Sequence, residues 1–301
     1  MNRSRILAGI AAAAILLSGC SSSPKKEEST DKSEQVSEKK TDKTESTSQE
    51  KKEDQKESSK EAFTPQVIYD QNGVKVTATG YEDSYLGESL KLNVENNSEK
   101  NWAVQARDAS VNGIMVNPIM SIDVAAGKKA NGDMDILKSD LEDAGIESSG
   151  TIEFRLHLFN SDDWTDSVDS ELITVKVGED QSTDISNGEV LVDQNGLKIV
   201  STGLKKDFYS DSAIGLYLEN NSDQPMTVQV DNFSVNGYML TAVFSCDVMP
   251  GKKASDEITL FSSDLEENGI EKVETVECSF PVFNSDNFAT IFETGPIQIN
   301  Y

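Results

Sequence analysis

The feature that most constrains the fold is that the chain repeats itself. DQNG at 70–73 returns at 193–196, ENNS at 95–98 returns at 219–222, and SVNG at 110–113 returns at 234–237. GKKA at 127–130, SDLE at 139–142 and FNSD at 159–162 return at 251–254, 263–266 and 283–286. The offset is 123 residues at first and 124 after one inserted residue near Lys205, and 42 of 107 aligned positions are identical. A period this long is a whole folding unit, not the roughly 20–50-residue module of a solenoid. Whatever residues 63–178 form, residues 190–301 are expected to form as well, with 179–189 as the linker between them.

Within a copy the apolar residues recur in twos. VKVTATG, LKLNVEN, AVQARDASV, SIDVA, MDI, TIEFRLHLF and ELITVKV read as strands separated by Asn, Gly, Ser and Asp. Asn112-Gly113 and Asn236-Gly237, with Asn72-Gly73 and Asn195-Gly196, fit two-residue hairpin turns, whose central positions both need positive φ. One short helix is expected in each copy, where Ser139 with Glu142 and Ser263 with Glu266 spell an S-x-x-E capping box and Gly145 and Gly269 supply the stop. About seven short strands in roughly 110 residues predict an all-β chain of two tandem immunoglobulin-like β-sandwich domains.

Ahead of the repeats, Arg3 and Arg5 precede the apolar run ILAGIAAAAILL and the small residues Ser18 and Gly19. These are the charged, apolar and small-residue sections of an export signal, residues 1–19. The apolar run of 12 residues is short of the about 20 that a membrane span needs. Leu17-Ser18-Gly19-Cys20 resembles the lipobox of bacterial lipoproteins, which implies cleavage before Cys20 and a diacylglyceryl group on its thiol. Two acyl chains give lasting membrane attachment where one gives only marginal binding. Residues 20–62 then read as a tether. From 21 to 62 there is one β-branched aliphatic residue, Val36, and no aromatic, so the segment cannot bury enough apolar surface to offset its ordering entropy, and disorder is expected.

Lipobox, charged tether and tandem copies of DQNG, ENNS, SVNG and GKKA together resemble a group of Gram-positive surface lipoproteins with tandem immunoglobulin-like domains. The resemblance implies a lipid-anchored position on the outer face of the cytoplasmic membrane, and it brings no activity with it.

Charge narrows the partners. The 10 Lys and 12 acidic residues of 21–62 nearly cancel and the two N-terminal arginines make up the difference, so the whole net charge of −26 falls on residues 63–301. Such a surface repels phosphate backbones, and nucleic acid is not an expected partner. The expected contacts are the membrane through the N-terminal lipid, and a cell-wall polymer or another surface protein through the repeated domains. A structural spacer or envelope accessory protein without its own ligand is the alternative.

No catalysis is expected, and no cofactor or metal: the chain has no nucleophile elbow, phosphate-binding glycine loop or metal-type His/Cys spacing. The single histidine, His157, sits in an alternating strand opposite Pro281 of the second copy, and reads as an outward-facing strand residue. Cys246 and Cys278 replace Ile122 and Phe154 of the first copy at apolar strand positions, so both thiols are expected in the core of the second sandwich. An exported domain permits a disulfide between them, and two buried reduced thiols are the alternative. Lys128-Lys129 and Lys252-Lys253 read as turn residues or as contacts for an anionic polymer. Asn160-Ser161-Asp162-Asp163 and Asn284-Ser285-Asp286 read as turns, lacking the ligand spacing of a Ca²⁺ loop. Trp164 and its counterpart Phe288 follow those turns, either capping the sandwich end or gripping a ligand.

Overall fold

Alternation with a period of two decides the architecture. Along the strand Thr151–Asn160 the side chains of Ile152, Phe154, Leu156 and Leu158 are fully buried, while those between them are half-buried. A strand of this pattern must lay one face on a second layer. The computed structural model describes residues 63–205 and 213–301. The expected export signal, Cys20 and the tether lie outside these residues. All described residues belong to one compact unit, and among them no helix is long and apolar enough to cross a membrane.

The expectation of an all-β chain holds. In the first half, Gln66–Gln71, Val74–Asp83, Gly87–Asn96 and Lys129–Leu137 form an antiparallel sheet in that order. It packs on a layer in which Trp102–Val111 pairs with Thr151–Asn160, flanked by Ile122–Val124, Asp163–Asp169 and Ile173–Lys176. Leu90, Leu92, Val94, Met134 and Ile136 meet Val104, Val111, Ile152, Phe154 and Leu156 in one apolar core.

The second half repeats the order with Glu189–Gln194, Leu197–Lys205, Ala213–Asn220 and Lys253–Leu260. Its facing layer is broken into two short sheets. One holds Ser245–Val248, Met226–Gln229, Pro281–Asn284 and Thr290–Glu293; the other holds Tyr238–Met239, Asp231–Val235, Thr275–Ser279 and Ile297–Asn300. A separate apolar core, from Val192 to Ile299, fills this half. The breaks fall at Val230 and at Phe280, the second beside Pro281; a proline cannot donate to the ladder.

All four Asn-Gly pairs adopt the expected turn, with φ of 51–55° at the asparagines and 75–83° at the glycines. The short helices are present as Lys138–Asp143 and Ser262–Glu267, each ended by a glycine at positive φ, Gly145 and Gly269. The capping boxes do not form. Leu137 and Phe261 occupy the N-cap positions in extended conformation, straight out of the preceding strands, and no side chain caps either helix N-terminus. Ser139 and Ser263 therefore stand two positions past the N-caps, too far inside to reach the orphan amides.

Residues of the segment between the halves are hydrogen-bonded to the first half. Gln181–Ser182 pairs with Ile146–Ser148, and Thr183 N–H donates to the Gly145 carbonyl at 2.7 Å.

Candidate functional site

The sharpest feature of the fold is the junction between the halves. The hairpin at Asn112-Gly113 carries Ile114 and Met115, and Ile114 pairs in parallel with Lys253 at the start of the strand Lys253–Leu260. Lys253 N–H donates to the Gly113 carbonyl at 3.0 Å. The facing layer of the first half and the first sheet of the second thereby become one continuous sheet. Met115 packs against the second core, and Lys252 Nζ pairs with the Glu153 carboxylate, both side chains mostly buried at 15% and 20% exposure.

Beside this junction lies a cavity of about 410 Å³, walled by Asp108, Asp140, Asp143, Asp247 and Asp256 together with Lys205 and Cys246. Burial holds the carboxyl groups of Asp108 and Asp256 above the usual carboxylate range. Arg155, at 3.6 Å, pulls against this at Asp108. The Glu257 N–H, at 2.7 Å, does so at Asp256. The cleft is thus an electronegative recess that attracts cationic groups. Its carboxylates are spread rather than convergent: among the described residues no group of three or more His, Cys, Asp or Glu is placed to hold a metal ion.

Cys246 and Cys278 are both buried and both free. The structure holds two thiols rather than a disulfide, and register gives the reason. Cys246 pairs with Val228, which pairs on its other side with Val282. Cys278 lies four residues back along that chain, beside Ile297. Two strand spacings across and about four residues along separate the Cα atoms by roughly 15 Å, twice the about 7 Å limit for a disulfide. Burial raises both thiols, Cys278 to about 12 and Cys246 well above its ordinary value, the latter further raised by Asp256 and Asp247. This disfavours the thiolate, the reactive form, at both.

The other singled-out residues divide. His157 is less exposed than its strand position predicts, at 12%, because Asp169 from the neighbouring strand reaches its Nδ1 at 2.6 Å. Lys129 pairs with Glu95 at 2.6 Å. The 160–163 and 284–286 segments are turns as expected, the Asn160 and Asn284 side chains accepting from the N–H groups of Asp162 and Asp286. Trp164 and Phe288 are 77% and 78% exposed. Trp164 touches Phe159 on one side at 5.5 Å between centroids. Phe288 is held at a φ of 57°, a conformation uncommon for a bulky residue and a mark of local constraint. Neither ring caps the sandwich end.

No protein-family model matches the chain. No curated protein matches it either. Among solved structures, the crystal structure of the YadV chaperone is 12% identical, with 76% of this chain and 100% of that chain covered and a TM-score of 0.26. A protein of unknown function from Porphyromonas gingivalis W83 is also 12% identical, at the same coverage and a TM-score of 0.21. Both likenesses are too slight to carry fold or function.

Proposed function

We propose that the chain is a lipoprotein held at the outer face of the cytoplasmic membrane through Cys20. In this reading residues 63–178 and 190–301 are two immunoglobulin-like modules on a disordered tether, acting together as a surface interaction module without catalysis. Two separate apolar cores with the same strand order support the modular part. The observation that carries the binding part is the pair of exposed rings. Trp164 and Phe288 occupy equivalent positions of the two copies, Trp164 in the strand that follows its turn and Phe288 within its own, and each is more than three-quarters open. An aromatic ring left in solvent offers a flat apolar face with a large contact area, and two linked sites raise the effective concentration for a ligand that repeats. A cell-wall polymer or another surface protein is the partner class that fits.

Retention on isolated cell walls tests this. Trp164→Ala and Phe288→Ala should each weaken retention, and the double variant should abolish it; equal, negligible retention of all forms would refute binding. Mass spectrometry of the N-terminal peptide tests the anchor, which an unmodified Cys20 in a membrane fraction would overturn. A second reading, a spacer with no ligand, is favoured by where the identities between copies lie. They concentrate in turns such as Asn72-Gly73 and Asn112-Gly113 with their counterparts, whereas the exposed rings differ.

A further inference from the structure

The junction joins two different surfaces: a hairpin surface on the first half (Ile114, Met115 and Glu153) and a strand-edge surface on the second (Lys252 and Lys253). Each half carries both surfaces, but a single chain uses one of each.

The unused hairpin is built as the used one is. Asn236 and Gly237 have φ of 51° and 83°, against 51° and 80° at Asn112 and Gly113. Ser234 pairs with Met239 and Val235 with Tyr238, as Ser110 pairs with Met115 and Val111 with Ile114. The Asn236 side chain accepts from the N–H groups of Glu274 and Thr275, as Asn112 does from Gly150 and Thr151. Glu277 stands opposite Ser234 as Glu153 stands opposite Ser110.

The unused edge matches as well. Asn96 N–H donates to the Lys128 carbonyl at 2.8 Å, as Asn220 N–H does to Lys252 at 2.9 Å. Lys129 opposes Glu95 as Lys253 opposes Glu219. With the same register, the Lys129 N–H faces outward, as that of Lys253 does toward Gly113.

What differs is cover. Ile114 is 5% exposed, whereas Tyr238 is 51% and Met239 69% exposed. Lys128 and Glu277, the counterparts of the paired Lys252 and Glu153, are exposed and without an ion-pair partner among the described residues. The surfaces are preformed, complementary in charge, and continuous with a contact the molecule already makes.

We propose that this chain assembles head to tail with second copies of itself. The Tyr238–Met239 hairpin of one copy runs parallel to the Lys129 edge of the next, and Glu277 pairs with Lys128 across the contact. The two surfaces are unlike each other, so the contact is heterologous and each added copy exposes a fresh hairpin and a fresh edge. Tyr at the position of Ile114 suits an interface between molecules, where a large amphipathic ring is a favoured anchor. The inference rests on the geometry of the junction and is independent of the anchor and of any wall ligand.

The test uses the full-length chain in cells that produce it, treated with a short bis-maleimide and run on a denaturing gel, with the parent chain controlling for native thiols. A variant carrying both Tyr238→Cys and Lys129→Cys should give a ladder of dimers, trimers and higher species. The two single variants produced together should stop at dimers, and each alone should give none. Adding Glu277→Lys to the double variant should reduce the ladder at least about tenfold, since reversing one member of a close pair replaces attraction by repulsion. Lys128→Glu added on top should restore it, which also shows that the reversed chain folds. No ladder, a ladder indifferent to Glu277→Lys, or dimers from Tyr238→Cys alone would overturn the proposal.

Discussion

Substituting Asn96 probes what the repeated ENNS motif does. Asn96 is 1% exposed. Its Nδ2 donates to the carbonyls of Lys100 at 2.7 Å and Val124 at 3.1 Å, and its Oδ1 accepts from the Ser98 N–H at 3.0 Å and hydroxyl at 2.7 Å. One side chain therefore ties the end of a strand to two loops. Asn220, fully buried, repeats every contact with Gln224, Val248 and Ser222. Asn96→Ala removes the side-chain donor to the Val124 carbonyl in a buried place and leaves the partly buried Lys100 carbonyl only the Ser98 hydroxyl at 3.4 Å. At about 1–3 kcal/mol for an orphaned buried group, the expected loss is about 3 kcal/mol. With a urea slope of about 2–3 kcal/mol per molar, the midpoint should fall by about 1–1.5 M. Asn96→Asp keeps the shape and the acceptors but turns both donors into an oxygen facing two carbonyls, so at neutral pH it should cost at least as much as alanine.

The assay separates the halves. Trp102 and Trp164 are the only tryptophans, and both lie in the first half. Fluorescence-detected urea unfolding therefore follows that half, while circular dichroism follows the whole β structure. Asn96→Ala should move the fluorescence transition, and Asn220→Ala should move the dichroism transition more than the fluorescence one. Losses under about 1 kcal/mol at both sites, or an aspartate variant more stable than the alanine one, would refute the hydrogen-bond account. Identical shifts by both probes in both variants would refute separately unfolding modules.

Three further outcomes follow from the junction and the second core. Lys252→Met leaves the mostly buried Glu153 unpaired and should cost about 1–3 kcal/mol in urea unfolding, with Glu153→Gln on top costing less than the sum; additive losses would show the pair uncoupled. The carboxyl of Asp256 is raised in the folded state. Its stabilising contribution is thus present below the ordinary carboxylate value and lost as pH rises through the folded one, so Asp256→Asn should melt higher than the parent at pH 7 and the gain should shrink in mild acid. Glu95, Asp166 and Asp184 are lowered and act oppositely, losing their contribution as acid protonates them, so the parent's stability should peak in mild acid; a monotonic fall from pH 7 downward would contradict this. Cys246 and Cys278 should resist a thiol reagent in the native chain and both react on denaturation without prior reduction; an intact mass short of two hydrogens would restore the disulfide.

Local rules read well wherever one residue decides a local matter. The Asn-Gly turns need only positive φ at two adjacent positions, and the strand Thr151–Asn160 needs only alternation. The helix starts failed because capping is decided by what precedes the helix: Leu137 and Phe261 carry the extended strand conformation into the N-cap place, leaving Ser139 and Ser263 inside. The contact of His157 with Asp169 depends on a register shift between Asp163 and Ser167, which no periodicity encodes. The disulfide question turned on two strand spacings that spacing along the chain does not reveal. Repetition itself hid the junction. Glu153 and Glu277 are the same residue at the same repeat position, as are Lys252 and Lys128, yet one pairing is buried and the other open to solvent. Identity between copies fixes local geometry, but which copy lies beside which is a matter of order along the chain. The first half has no copy before it and the second has none after it within the described residues. Among the described residues the two end surfaces therefore stay open, and they are complementary for the same reason that the buried pair is.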